Sequence, residues 1–225
     1  LHYIYPDQFS DNLIEIIARE PKIVKYLDMP IQHTQDRILK LMNRKLTRIK
    51  LFTLMEKLRA RIPGLVLRTS IIVGFPGETE GEFEQLSRDL EFLNIHHVGV
   101  FRYSREEGTP AAKLPGQVHA TTKRARYRKL TDRLSATRTQ RQRAMIGTRA
   151  VAMIEGTSEE TDLLIQARLP TQAFEIDGHI LVSDVSAISD SLSPGDFVEV
   201  EITDAHLVDF VARAVRRSGP RYAHA

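Results

Sequence analysis

The stretch Arg68–Thr79, Arg-Thr-Ser-Ile-Ile-Val-Gly-Phe-Pro-Gly-Glu-Thr, narrows the choice of fold more than any other part of the chain. Val66 to Val73 is a short run rich in β-branched residues, which predicts a strand buried on both faces. Gly74, Pro76 and Gly77 break it. Thr79 is placed as a helix N-cap, with Glu82 three residues on to complete a capping box. Strand, glycine turn and helix together are the repeating unit of an α/β fold, in which ligands gather beyond the carboxyl ends of parallel strands. Glycines let a ligand approach the backbone there, and free N–H groups at the helix start attract anions. The same stretch also fits a tight strand–helix turn with no ligand.

The rest of the first half repeats that alternation. Leu1 to Tyr5 reads as the end of a strand, Phe9 to Arg19 as a helix behind a Ser10 cap, and Tyr26 to Ile31 as a strand. A helix follows from Thr34 or Gln35, with Ile38, Leu39, Leu41 and Met42 at helical spacing. Arg48 to Arg61 predicts a second helix, stopped by Pro63-Gly64. After the Val66–Val73 strand come a helix over Glu80–Leu93 and a strand over His97–Tyr103. The order β-α-β-α-α-β-α-β argues for a parallel sheet, either most of an open sheet or part of a barrel. Right-handed crossovers bring the strand exits to one end of the sheet. These exits carry Tyr5-Pro6-Asp7, Gln32-His33, Gly74 to Glu78, and Arg102-Tyr103-Ser104-Arg105-Glu106, polar chemistry that suits a shared site.

Composition sets the broader limits. Hydrophobic residues make up 42% and charged residues 27% of the 225, ordinary for a globular protein and enough for two domains. No apolar run approaches the ~20 residues that a membrane-spanning helix needs, and no signal peptide is visible, so a cytoplasmic setting with no membrane is expected. Cysteine is absent, which removes disulfides, thiolate nucleophiles and cysteine-ligated metals. The chain begins at Leu1 and not at methionine, which reads as a fragment or a processed product.

After a Gly- and Pro-rich loop, a long helix is predicted over about Thr121–Met145. From His119 to Ala150 there are ten Lys or Arg against Asp132 alone, a local charge of +9 in a chain whose total is +3. Such a helix suits RNA phosphates or an acidic partner, or a solvated face whose arginine stems pack on the sheet. Gly147 marks a boundary. Five short strands follow, over Arg149–Ile154, Leu163–Arg168, His179–Val182, Phe197–Ile202 and Val208–Val215. Glu155-Gly156, Asp177-Gly178 and Pro194-Gly195 read as the turns between them, with Asp-Gly as a hairpin signal. This predicts a small antiparallel barrel of OB-like size. Stacking aromatics are few (Phe174, Phe197, Phe210, Tyr222), which counts against single-strand RNA binding by base stacking. The expected divisions are 1–146, 147–217 and a basic, flexible tail over 218–225.

Several side chains stand out. Gln32 can bond a ribose hydroxyl, and Arg44 can hold a carboxylate through two parallel bonds. His33 can be a general base, a metal ligand or a hydrogen-bonded turn residue. His96-His97 reads as structural. No His, Asp and Glu cluster has metal-site spacing.

Taken together, four stretches resemble the radical S-adenosylmethionine methylthiotransferases: Tyr26-Leu-Asp-Met-Pro-Ile-Gln-His33, Ile38-Leu-Lys-Leu-Met-Asn-Arg44, Arg68 to Thr79, and Val100-Phe-Arg-Tyr-Ser104 followed by Glu107-Gly-Thr-Pro-Ala111. Pro-Ile-Gln-His is similar to the branch that modifies a ribosomal protein, the RimO type. Glu175-Ile-Asp-Gly178 and Pro194-Gly-Asp-Phe-Val-Glu-Val200 resemble the TRAM barrel of these enzymes. The resemblance implies an α/β fold, a partial radical-SAM TIM-like barrel followed by a small all-β antiparallel TRAM barrel. It implies S-adenosylmethionine and two 4Fe–4S clusters in the intact enzyme, and the chain has cysteines for neither cluster, so a truncated product, inactive by itself, is expected. The implied reaction inserts a methylthio group at the β-carbon of an aspartate in protein twelve of the small ribosomal subunit. Gln32 and Ser70 would then face the ribose, Arg44 the methionyl carboxylate, and the backbone at Gly74, Val100 and Phe101 the adenosine. His33 and Tyr103 are candidates on the substrate side. The basic helix and TRAM barrel would dock the ribosomal protein, and the helix would also meet ribosomal RNA. Two alternatives stay open: the relative that modifies a tRNA adenosine (the MiaB type), and a non-catalytic module that binds RNA or protein.

Overall fold

The computed structural model describes residues 1–158, 161, 163–206 and 208–219. The chain divides into two compact units, one of Leu1–Arg19 with Lys25–Ala136 and one of Glu20–Val24 with the chain from Thr137 onward.

The first unit is built on three parallel strands in the order β1-β2-β3, with β1 over Tyr26–Asp28, β2 over Val66–Val73 and β3 over His97–Arg102. Leu1 to Tyr5 does not form the expected strand, because Tyr3 turns to φ +58° and breaks the extended run. Its backbone still lies along β1, with Ile4 N–H on the Asp28 carbonyl at 3.1 Å and Asp28 N–H on the Leu1 carbonyl at 2.9 Å. Helix α1 spans Asp11–Arg19, α2 Asp36–Leu41, α3 Arg48–Arg61 and α4 Glu80–Leu93. The Thr79 hydroxyl accepts from Glu82 N–H and the Glu82 carboxylate accepts from Thr79 N–H, so the capping box forms as expected. Leu41 is the misplaced member of the α2 set: it is exposed, and Ile38 and Leu39 are buried.

β2 is not buried on both faces. Leu67, Thr69, Ile71 and Val73 have at most 1% exposure, whereas Arg68, Ser70 and Ile72 on the opposite face are only partly buried. The polar residues inside the run carry the alternation. The buried face belongs to the same core as Leu51, Met55 and Leu58 of α3 and Phe83, Leu86 and Leu90 of α4. The other face is left for function.

Helix α5 (Ala120–Met145) begins in the first unit and ends in the second. The second unit is a closed five-stranded barrel in the order β4-β5-β6-β8-β7, with β4 over Arg149–Thr157, β5 over Ile165–Arg168, β6 over Ile180–Asp184, β7 over Phe197–His206 and β8 over Asp209–Ser218. Its core is filled by small and branched side chains, among them Ala152, Ile154, Ala167, Ile180, Val198 and Ala212. Two turn expectations fail. Glu155-Gly156 lies inside β4 as a bulge at Ile154/Gly156. Asp177-Gly178 does not close a two-residue hairpin; a Cβ on Gly178 would stand 1.9 Å from the Val208 carbonyl oxygen, so glycine serves a close backbone approach. The barrel is also not wholly antiparallel, since β6 pairs parallel with β8. Residues 220–225 of the expected tail, Tyr222 included, lie outside the described residues.

Candidate functional site

The site is organised by the exit of β1. Gln32 has φ +68°, and His33 N–H donates to the Ile31 carbonyl at 2.9 Å. An i→i+2 bond around a residue of positive φ is a strained γ-turn, which a non-glycine residue adopts only where its surroundings impose it. Here β2 imposes it: Gln32 N–H donates to the Ser70 carbonyl and Ile72 N–H donates to the Gln32 carbonyl, each at 2.9 Å. Gln32 and Ser70 are thereby held side by side.

Ser70 is level with Gly99 of β3, and Ile72 with Phe101. In a parallel pair these neighbours share a face, so Ser70, Ile72, Gly99 and Phe101 form one surface, and Gln32, which is level with Ile71, borders it through its backbone bonds to Ser70 and Ile72. Phe101 is 54% exposed, and a Cβ on Gly99 would stand 3.2 Å from its ring, so glycine lets the ring lie close over the β3 backbone. Val100 is level with Ile71, which is fully buried. Its side chain stands on the opposite face, and only its backbone borders Ser70 and Phe101.

Arg44 follows α2. Its guanidinium lies 4.8 Å from the Tyr5 ring centroid and meets no carboxylate among the described residues. It lines a pocket of about 170 Å³ with Tyr5, Asp7, Ile31, Asn43 and Lys45. Ile31 precedes Gln32, which makes this pocket the neighbour of the Gln32–Ser70 surface. An arginine stacked on a ring, with its N–H edge unpaired, suits a carboxylate.

The remaining sequence candidates sit elsewhere. His33 is fully buried. Its Nδ1 accepts from Gln35 N–H at 3.0 Å, which leaves the ring proton on Nε2, 3.2 Å from a Glu78 carboxylate oxygen. The other Glu78 oxygen accepts from Gly74 N–H and from Arg126 Nη1, the latter at 2.8 Å. Glu78 thus fills with its own carboxylate the place where the glycine turn was expected to receive an anion. Two further donors of the turn are also used: Gly77 N–H on the Gly116 carbonyl at 2.8 Å, and Glu78 N–H on that of Phe75 at 2.9 Å. Gly74 has φ +72°, and a Cβ there would stand 2.5 Å from Lys123 Cγ. Tyr103 packs edge-on to Phe75 at 5.2 Å, beneath the Lys123 ammonium, with its hydroxyl buried and without a hydrogen-bond partner among the described residues. Gly74, His33 and Arg126 form a second cluster around Glu78, and Tyr103 packs beside Phe75 and Lys123.

Glu78 and Arg126 are the residues that sequence reasoning passed over. Glu78 was legible as part of an unusual strand exit, but its partners lie 45 and 48 residues away. Arg126 was only one of ten basic residues. His96 is structural as expected: its Nδ1 accepts from Leu67 N–H at 3.2 Å. Among the described residues no group of three His, Cys, Asp or Glu is placed to hold a metal ion. No helix of the described chain is long and apolar enough to cross a membrane.

Residues 3–90 match the Radical SAM superfamily and residues 146–215 the TRAM domain. Proteins named ribosomal protein uS12 methylthiotransferase RimO are similar over nearly the whole chain. That of Anaeromyxobacter sp. (strain Fw109-5) is 48% identical over 98% of this chain and 46% of its own length. That of Geotalea uraniireducens (strain Rf4) is 44% identical over 96% and 47%. The chain therefore spans about half the length of the curated relatives it matches. Among solved structures, coproporphyrinogen III oxidase (HemN) from Escherichia coli, a radical SAM enzyme, matches with a TM-score of 0.51 at 12% identity. That match covers 88% of this chain and 45% of HemN, and it shows a shared fold alone.

Proposed function

We propose, for a chain that belongs to the radical S-adenosylmethionine methylthiotransferases of the RimO type, that it carries one wall of the S-adenosylmethionine site and the TRAM barrel of a cytoplasmic enzyme acting on ribosomal protein uS12. The whole enzyme inserts a methylthio group at an aspartate β-carbon. The observation that carries this reading is the strained Gln32 turn locked against Ser70, next to the unpaired edge of Arg44. A turn that costs about 1–3 kcal/mol is kept where a side chain must be aimed.

The residues fit S-adenosylmethionine. Gln32 and Ser70 offer hydrogen bonds to the ribose, Arg44 holds the methionyl carboxylate, and the exposed Phe101 ring over Gly99 takes the adenine. When bound, S-adenosylmethionine supplies the radical that removes a hydrogen from an unactivated carbon. These residues do not fit a 4Fe–4S cluster, because the chain contains no cysteine; both clusters are proposed to belong to parts of the enzyme outside these 225 residues. The TRAM barrel and α5 dock uS12, and the exposed arginines of α5 meet ribosomal RNA. If the barrel of a tRNA-modifying relative were substituted and substrate choice stayed the same, docking by the barrel would be wrong.

The test uses the full-length gene product purified without oxygen. Its iron content is measured, and uS12 and tRNA are offered in parallel with a mass-spectrometric search for the methylthio increment. Iron with modified uS12 supports the proposal. Modified tRNA alone moves the assignment to the tRNA branch, and neither iron nor modification leaves a binding module.

A further inference from the structure

Helix α5 sorts its basic side chains onto two faces. One faces α4 and is neutralised: Arg126 pairs with Glu78 and Glu80, Lys129 with Glu84, and Arg133 with Glu91. At ~100° per residue, Arg124 and Arg128 stand about 160–200° round the helix from Arg126. Both are exposed, and neither makes an ion pair among the described residues, with Asp132, the one acid of the helix, included. Between the two faces Tyr127 is 38% exposed, with the Arg102 guanidinium 5.8 Å from its ring centroid. Arg102 is itself exposed at the end of β3, one residue past Phe101.

We propose that Arg102, Arg124, Tyr127 and Arg128 form a stripe that binds an unpaired segment of RNA. Arg124 and Arg128 are one helical turn apart and hold phosphates. Tyr127, oriented by Arg102, receives a base on its exposed face. An acidic polypeptide would use the arginines and leave the ring idle, so the aromatic favours RNA. The choice of a ribosomal partner rests on the function proposed above; the stripe itself is tested separately from that reaction.

The 225-residue chain is titrated against a short fluorescein-labelled RNA strand by anisotropy at several salt concentrations, with labelled polyglutamate as a parallel probe. Arg124→Ala/Arg128→Ala should lower the slope of log affinity against log salt by about 1.4, at ~0.7 per single-strand phosphate contact. Tyr127→Ala should weaken binding about tenfold, and Tyr127→Phe should restore it. Lys129→Ala, on the neutralised face, should leave the slope unchanged. The stripe is refuted if the parent chain does not bind RNA, if Lys129→Ala lowers the slope as much as the double variant, or if polyglutamate binds as tightly and shows the same dependence on Tyr127. Modification of uS12 by the full-length enzyme alongside any of these results would sink the stripe, and with it the contact of α5 with ribosomal RNA, and leave the proposed reaction on uS12 standing.

Discussion

Glu78→Gln exchanges one oxygen for an amide nitrogen in a place with no solvent, since the Glu78 side chain is 0% exposed. Three donors converge on the native carboxylate: His33 Nε2–H, Gly74 N–H and Arg126 Nη1–H. An amide has a single acceptor atom. With that oxygen turned to Gly74 and Arg126, its NH2 group meets the His33 Nε2–H, donor against donor. Moving the ring proton to Nδ1 sets it against Gln35 N–H, so one buried hydrogen bond is lost either way, about 1–3 kcal/mol. The lost charge adds less than the ~3–5 kcal/mol of a stranded buried ion. Arg126 keeps the Glu80 carboxylate at 3.0 Å and the Glu78 carbonyl at 3.1 Å. The expected sum is about 3 kcal/mol, or a fall in Tm of roughly 10 °C for a unit of this size. Urea unfolding followed by helical circular dichroism measures it. Adding Arg126→Met to Glu78→Gln should recover part of the loss, because the removed partners are coupled. A loss below about 1 kcal/mol for the single variant would refute the account of this cluster.

Three further outcomes follow from the same geometry. Burial alone would raise the Glu82 carboxyl, but bonds from Arg37 and from the Thr79 N–H and hydroxyl outweigh it and bring the pKa down from 4.5 to about 2. The folded value is depressed, so the stabilisation, about 1 kcal/mol after solvent screening, is full above pH 4.5 and is lost as pH falls through about 2; Glu82→Gln should flatten the stability profile over that window, and an unchanged profile would contradict the assignment. Gly178→Ala should destabilise the barrel by about 3 kcal/mol in urea unfolding, because its Cβ would meet backbone and not a movable side chain. Gln32→Gly should keep the fold's stability or raise it by up to about 1 kcal/mol while weakening S-adenosylmethionine binding measured by calorimetry; a clear loss of stability would mean the turn is not strained.

The sequence revealed what is local and concealed what is distant. The bounds of α3 and α4 were readable because Thr79, Glu82 and Pro63 act within a few residues of themselves. The juxtaposition of Gln32 with Ser70 was expected only through the resemblance, and no pattern in the residues announced the positive φ that fixes it. The sequence left His33 open as a general base, a metal ligand or a hydrogen-bonded turn residue; its Nδ1 bond to Gln35 N–H is the local part of the last reading, whereas its contact with Glu78, 45 residues away, was not legible. The parallel β6–β8 pair was hidden for the same reason, since strand direction follows from closure of the barrel and not from any dipeptide.

The basic helix shows why a local charge total misleads. A sum of +9 treats Arg126 and Arg124 alike. In the fold, Arg126 is buried between two glutamates and serves cohesion, while Arg124 faces outward and is free to meet a ligand. Glu78 ties these roles together: the carboxylate that neutralises Arg126 also holds Gly74 and the His33 that follows Gln32. The helix that offers an RNA-facing stripe is therefore joined to the turn that aims Gln32 by one buried carboxylate. Disturbing that carboxylate should affect S-adenosylmethionine binding through Gln32 before it affects RNA binding through Arg124 and Arg128, whose side chains make no contact with it.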